Sequence, residues 1–274
     1  MAKIAFDKYY TPPNVARWCI DKVKEVIGEE NITEWVEPSA GSGSFSHQIP
    51  GCKAYDLYPQ HEYIEQADFL ELDLGGYKKG RCFIGNPPFG GGAGKLIKSF
   101  YDKSCDNGDY IAYIQPASYC NNYNKFYRFE IVYSCLIKTH YTNTELYTSF
   151  TIYKRNPDKQ DFREKKVKLK DVTFTRISRN NKGNKHKVNL DYDYCMGSFG
   201  AGNVLRQDVP YRTASNILVK CNNKDNKDKI ITVLKWLYYY DKETKILQKK
   251  CISSNSVSDD TLIKILKICI PDIK

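Results

Sequence analysis

Asn86-Pro87-Pro88-Phe89 is the stretch whose residue types and spacing could do chemistry. Asn86 precedes a proline, which pushes it toward an extended conformation. Its carboxamide can then project from the end of the preceding segment, offering one acceptor and two donors. The Pro87 carbonyl is a second acceptor, rigidly aimed because each proline ring fixes φ near about −65°. Phe89 is a flat apolar surface on which a planar group can stack. Two acceptors beside an aromatic plate suit a planar molecule that carries an NH2 group. If both amine hydrogens bond to the Asn86 oxygen and the Pro87 carbonyl, the nitrogen lone pair leaves conjugation and points at an electrophile. Taken alone, the same residues serve equally well as a strand-ending turn with a core phenylalanine.

The elements that must position this stretch are legible around it. Residues 81–84 are a short apolar run, the pattern of a buried strand, stopped by the two prolines. The carboxyl end of such a strand is where open α/β sheets hold ligands. Glu34-Trp35-Val36-Glu37-Pro38 reads as a strand running into Ser39-Ala40-Gly41-Ser42-Gly43, a turn that admits close approach of a ligand to the backbone. A dinucleotide fingerprint would want Gly or Ala where Ser46 stands, so an NAD site is disfavoured. The strand over 52–56 ends on Asp56, the kind of acid that accepts hydrogen bonds from ribose hydroxyls, with Leu57 and Tyr58 as walls for a base. Asp68-Phe69 follows another short strand and could bond and stack an adenine ring. Taken singly, each acid is more often a turn residue than a ligand.

The remaining periodicities complete a framework. A helix is predicted over 12–26, capped by Thr11, with Val15, Trp18, Cys19 and Val23 on one face. Residues 90–95 look like a phosphate loop but fail that pattern at Phe89 and Leu96, and read as a mobile lid into a helix over 95–105. A strand over 109–115, a helix over 124–133 and a strand pair over 136–141 and 149–153 follow. This alternation predicts a doubly wound α/β sheet with an antiparallel closing hairpin. Farther on come a loop at 197–203, a strand at 215–221, a helix over 230–248 with Val233, Trp236, Leu237 and Tyr240 in register, and a helix over 258–270.

Composition narrows the function classes. The 274 residues suffice for one large core plus a smaller appendage. Residues 1–150 hold 15 Lys and Arg against 18 Asp and Glu, whereas residues 151–274 hold 27 against 14. Such asymmetry points to a polyanion-binding second half, nucleic acid first. The bland alternative is a solvated lysine-rich surface. No apolar run approaches the roughly 20 residues of a membrane helix, and the first residues lack a signal-peptide pattern, so a cytoplasmic protein without membrane partners is expected. The ten cysteines form no Cys-x-x-Cys pair and the four histidines have no ligand spacing, so no metal is expected.

Together these residues resemble the S-adenosylmethionine-dependent adenine-N6 DNA methyltransferases in which cofactor motifs come first and the recognition region last. The resemblance covers residues 9–154. Asn86-Pro87-Pro88-Phe89 resembles that family's catalytic motif, Glu37-Pro38-Ser39-Ala40-Gly41-Ser42-Gly43 its cofactor loop, and Tyr10-Thr11-Pro12-Pro13 its N-terminal cofactor motif. Asp56 and Leu57 fall where the ribose-binding acid lies, Asp68-Phe69 where the adenine contacts lie, and Phe150 resembles an aromatic that flanks the flipped base. Asn-Pro-Pro followed by an aromatic also occurs in glutamine-N5 and guanine-N2 methyltransferases. The resemblance implies a Rossmann-like class I methyltransferase sheet over 1–154 and a smaller basic recognition region over 155–274. It implies S-adenosylmethionine as cofactor, duplex DNA with a flipped adenine as partner, and a restriction-modification setting. Arg163, Lys166 and Arg176 are expected on the phosphate-holding surface. An RNA adenine-N6 methyltransferase is the nearest alternative and a protein-glutamine methyltransferase a more distant one.

Overall fold

Buried apolar runs, not alternating ones, build the centre of the sheet, as parallel strands covered on both faces require. The computed structural model describes residues 9–90, 94–123, 125–141, 144–158, 160–163, 167–177, 191–197, 216–244 and 259–274. Strand β4 (Arg81–Gly85) is buried along its whole length, and β5 (Tyr110–Pro116) up to its last residue. Around them stand β1 (Glu34–Glu37), β2 (Lys53–Asp56), β3 (Glu65–Gln66), β6 (Glu130–Tyr141) and β7 (Thr144–Lys154). The order across this seven-stranded sheet is β3-β2-β1-β4-β5-β7-β6. Strands β1 to β5 are parallel, and β7 returns antiparallel to β5 with β6 antiparallel to it. This is the doubly wound, Rossmann-like α/β sheet with an antiparallel closing hairpin that the alternation predicted.

The chain order reverses between β1 and β4, which makes their carboxyl ends the switch point where open sheets bind ligands. Val36 pairs with Phe83, so the segments leaving the two strands emerge side by side. Helix α1 (Pro13–Ile27) buries Ala16, Cys19, Ile20 and Val23 on one sheet face, and α2 (Lys95–Asn107) buries Ile97, Phe100, Tyr101 and Cys105 on the other. Alternate β4 residues divide between them: Cys82 and Ile84 join the α1 cluster, Phe83 the α2 cluster.

Three expectations are corrected here. Thr11 does not cap α1: Pro12 stands at the cap and makes no side-chain bond. Trp18 is 39% exposed, because Ala16 and Ile20 take the inward positions of that helix. No helix spans 124–133. Phe126 and Phe129 do stand at helical spacing, but both are buried side chains of an irregular segment. The Tyr101 hydroxyl accepts hydrogen bonds from the Arg128 and Phe129 amides, and the β-branched pair Ile131 and Val132 enters β6, which pairs with β7 apart from an irregularity at Val132. Between β1 and β2 the chain crosses over without an α-helix, through a 3-10 turn at Ser46–Gln48.

The described chain separates into two compact units, Met1–Glu164 and Lys165–Lys274. The second unit has its own three-stranded antiparallel sheet, β8 (Val172–Ile177), β9 (Tyr194–Gly197) and β10 (Asn216–Cys221), with β10 central. Helices α3 (Lys224–Thr244) and α4 (Asp259–Cys269) cover one face, burying Ile230, Leu234, Leu262 and Leu266 against Val172, Met196, Ile217 and Val219. The inward stripe of α3 is Ile230, Ile231, Leu234 and Leu237. Trp236 faces out at 55% exposure, one position off the predicted register, and the Tyr240 side chain lies outside the described residues. So do residues 91–93 of the expected lid, 198–203 of the expected loop and 245–248 of the expected helix. Among the described residues no helix is long and apolar enough to cross a membrane.

Candidate active site

The site is built at the paired ends of β1 and β4. Gly85 closes β4 with φ of 153°, a region that L side chains avoid, and a Cβ there would lie 3.5 Å from Glu37 Cγ. Asn86 follows, half-buried, and its Nδ2 donates to the Tyr9 carbonyl at 3.0 Å. That bond fixes which way the amide faces: the nitrogen is held inward by the N-terminal segment, and Oδ1 is left as the acceptor. Pro87 is buried, Pro88 and Phe89 are half-buried, and Phe89 packs against the clusters of both sheet faces.

Across the switch point, Glu37 is 2% exposed and its carboxylate accepts the Ser46 amide at 2.7 Å. Burial pushes its carboxyl up to about 7, with the Asp56 charge adding to the rise, while hydrogen bonds from Ser46 and Phe45 pull the other way. Ser46 therefore anchors the 3-10 turn in place of the missing helix. Gly41 has φ of 54° and carries the Tyr10 ring, which a Cβ would meet at 3.2 Å. Gly43 has φ of 74°, and the space a Cβ would take belongs to the Tyr63 hydroxyl. Pro38 and Ala40 are buried between these contacts.

Asp56 holds the Ser39–Gly43 turn and its own loop together. Oδ2 accepts the Gly41 amide and Oδ1 the Tyr58 amide, each at 2.8 Å. Each oxygen keeps a second lone pair for an incoming hydroxyl. Leu57 beside it is 44% exposed. The N-terminal segment ties the loops: Tyr9 takes Asn86, the Thr11 carbonyl takes the Ser44 hydroxyl at 2.7 Å, and the Tyr10 hydroxyl takes the Gln60 amide. The hydroxyls of Thr11 and Ser39 are buried with no protein partner. Orphaned hydroxyls are rare in a finished core and normal in a polar ligand site. Residues Tyr10, Thr11, Pro12, Glu37, Ser39, Gly41 and Asp56 thus converge on one place and fit a ligand with polar ends.

Other predicted positions are placed elsewhere. Phe69 is in the core, stacked on Phe100 at 5.2 Å and edge-on to Phe83, so it cannot stack a cofactor ring. Its neighbour Asp68 is exposed and accepts the Leu70 amide, a turn bond. Phe150 is fully buried in β7 and meets the Trp18 ring at 5.7 Å, so no base can reach its faces. Arg163 is held by Asp161 and lies 4.2 Å over the Tyr127 ring, while Arg176 pairs with Asp259 at 2.8 Å. Lys166 lies outside the described residues. Sequence reasoning missed Tyr9, Ser44 and Gln60. Tyr9 contributes only a backbone carbonyl, which no side-chain pattern signals, and Gln60 is one polar residue of a loop.

No group of His, Cys, Asp and Glu able to hold a metal occurs among the described residues. No protein-family model matches the chain, and no curated protein is similar to it. Two solved structures resemble it in part. A candidate RNA methyltransferase from Pyrococcus horikoshii is 16% identical with a TM-score of 0.44, over 57% of this chain and 90% of its own. A Thermoplasma acidophilum protein is 15% identical with a TM-score of 0.43, over 56% of this chain and 93% of its own. Likenesses of this order are shared by proteins of different chemistry, so function has to be argued from the side chains.

Proposed function

We propose that the chain is a methyltransferase that uses S-adenosylmethionine to methylate the N6 amine of adenine in DNA. The observation that carries this reading is the Asn86–Tyr9 hydrogen bond at 3.0 Å. It turns Asn86 into a fixed acceptor beside the Pro87 carbonyl, at the switch point of the sheet and next to the Glu37–Gly43 turn. An acceptor pair so placed selects a group with two N–H hydrogens.

Tyr10, Thr11, Glu37, Ser39, Gly41 and Asp56 would hold the cofactor, which supplies an electrophilic methyl group when bound. The chain's own part is to position and polarise. Asn86 Oδ1 and the Pro87 carbonyl accept the two amine hydrogens, which turns the nitrogen lone pair out of the ring's conjugation. Phe89 holds the ring plane, so the amine is presented in one orientation. Duplex DNA hides that amine in the stack, so the base must be flipped out at a cost of a few kcal/mol, on the order of one stacking step. The basic second half, with its excess of 13 positive charges over 151–274, would hold the backbone meanwhile.

The test is tritium transfer from labelled S-adenosylmethionine to duplex DNA, RNA and protein in parallel, followed by nucleoside digestion. N6-methyl-2′-deoxyadenosine from DNA supports the reading. Label confined to RNA, or to glutamine in protein, replaces it.

A further inference from the structure

The parallel strands have a second end, where none of the residues discussed so far does chemistry. Asp109 precedes β5, and Arg155 follows β7, whose last residue Lys154 pairs with Tyr110 at the start of β5. Both therefore stand at the amino ends of the strands, away from Asn86 and Asp56 at the carboxyl ends. An open cleft of about 470 Å³ lies there, within the first unit. Its lining includes Tyr77, Arg128 and Arg155, together with Asn156 and Gln160 from the chain that follows β7. A cleft of that volume takes a small organic ligand.

The two arginines are held in place with donors to spare. The Arg155 amide donates to the Asp109 carbonyl at 2.8 Å, its Nη2 to the Cys105 and Gly108 carbonyls at the end of α2, and its Nε to Gly108 and the Asp109 carboxylate. Its guanidinium carbon lies 4.8 Å from the ring centroids of both Tyr77 and Phe129. These contacts fix the group and leave Nη1 without a partner among the described residues. Arg128 donates from Nη1 to the Asp102 carbonyl and from Nη2 to Asp106, and its Nε is likewise unpaired among the described residues. Two fixed guanidinium groups lining one cleft suit an oxyanion, and a phosphate above all, because it accepts several N–H donors at once. Two carboxylates also line the cleft, but Asp106 is engaged by Arg128 and Asp161 by Arg163. The rest of the lining suits a base. Tyr77 is 53% exposed, so its ring offers apolar surface to a planar group. Gln160 is exposed and makes no side-chain hydrogen bond among the described residues, and the Asn156 side chain accepts one from the Asp158 amide with its oxygen, keeping its NH2. Carboxamides match the paired donor and acceptor edges of nucleobases. We infer that this cleft binds a nucleoside phosphate, either a free mononucleotide or one unit of a single nucleic-acid strand. The inference is independent of the methyl-transfer reading, whose residues lie at the other end of the sheet.

The experiment is calorimetric titration of the full chain with AMP, GMP, CMP and UMP, with the matching nucleosides, and with a short single-stranded oligonucleotide of mixed sequence. Wild type, Arg128→Met and Gln160→Ala are compared, with the melting temperature of each. At least one monophosphate or the oligonucleotide should bind wild type with Kd below about 1 mM. The nucleoside without its phosphate should bind at least about tenfold more weakly, and Arg128→Met should cost about ten- to a hundredfold, as charge-assisted hydrogen bonds do. Binding of a monophosphate identifies a free nucleotide as the ligand, and binding of the oligonucleotide alone identifies a strand. Loss in Arg128→Met at an unchanged melting temperature supports the site, and unchanged affinity overturns it. Should Arg128→Met melt lower, Gln160→Ala decides in the same way, since that side chain holds nothing in the fold. Two further results overturn the inference: no probe binding below about 1 mM, or bound nucleotide displaced by excess S-adenosylhomocysteine, which would put it at the carboxyl ends of the strands.

Discussion

Replacing Asn86 by aspartate tests how the amide is oriented, because the two side chains are nearly the same size. In the native protein Nδ2 donates to the Tyr9 carbonyl at 3.0 Å. In Asn86→Asp an oxygen takes that place and faces another oxygen across the same gap. The ionised variant loses one hydrogen bond and leaves the Tyr9 carbonyl unpaired, at about 1–3 kcal/mol. To escape, the carboxylate must swing away from the amine, or take up a proton and donate it to Tyr9. A hydrogen bond made by the neutral acid raises its pKa. The variant should therefore lose about 5- to 150-fold in kcat/KM at pH 8.5 and recover as pH falls and the introduced carboxylate takes up its proton. Since Glu37 titrates near 7, the quantity to follow is the ratio of variant to wild type across pH 5.5 to about 8.5, in which the Glu37 effect cancels. A ratio near one at every pH would refute the argument: the amide would then not be oriented by Tyr9, and a carboxylate would serve equally as acceptor.

The other predictions are shorter. Phe89→Ala should cut methyl transfer by roughly 1–3 kcal/mol of stacking energy, while Phe89→Tyr and Phe89→Trp retain it; steady-state kinetics on DNA distinguish these. Asp56→Ala should weaken cofactor affinity measured by calorimetry, by about 1.5–3 kcal/mol for charge-assisted bonds to hydroxyls, and should also lower the melting temperature, because the Gly41 and Tyr58 amides lose their acceptor. Glu37 has its carboxyl raised from about 4.5 to about 7, so its protonated form favours folding. That stability is complete below the lower value and disappears as pH rises through the upper one, with a slope of at most about 1.4 kcal/mol per pH unit. Urea denaturation at pH 5 and about pH 8 should show the fall in wild type and its absence in Glu37→Gln. Neutralising Arg163, Lys166 and Arg176 together should make log affinity for duplex DNA less steep in log salt, by up to about 0.9 for each phosphate no longer neutralised. Arg163 and Arg176 already pair with Asp161 and Asp259, but exposed pairs of this kind are worth only about 0–1 kcal/mol, so phosphate can displace the acids.

Much of the frame was legible because its signals are local. An apolar run halted by two prolines could end only one way, and β4 stops at Gly85, just before Asn86. The doubly wound sheet followed from the alternation of strands and helices; that β1 and β4 lie side by side at the switch point is seen only in the structure. What misled was anything decided by distant neighbours. Phe69 and Phe150 look in sequence like aromatics free to stack, but Phe83 and Phe100 enclose the first, and Trp18 lies against the second. The segment from Phe126 to Tyr133 has helical spacing, yet all but Val132 of the twelve residues beginning at Glu130 pair with β7, and a ladder of that length outweighs local preference. Thr11 has the right type for a cap, yet Pro12 takes the cap position and the Thr11 hydroxyl is buried with no protein partner. No spacing rule announces the Tyr9 carbonyl, because every residue has one.

The crossover from β1 to β2 has a consequence for how this sheet breathes. Between Pro38 and Cys52 the helical structure is one 3-10 turn, held by Glu37, with its His47 ring against Tyr63, on which His61 stacks. Its amides lack the ladder of i→i−4 bonds that a crossover helix would give, whereas those of β4 and β5 sit in the middle of the sheet. Amide deuterium exchange should therefore be uneven: slow over 81–85 and 110–115, fast over 38–52. The fast segment is also the one proposed here to hold the cofactor. Occupancy by S-adenosylmethionine would then be written in the exchange pattern as a local slowing confined to 38–52 and 56–58, visible without turnover.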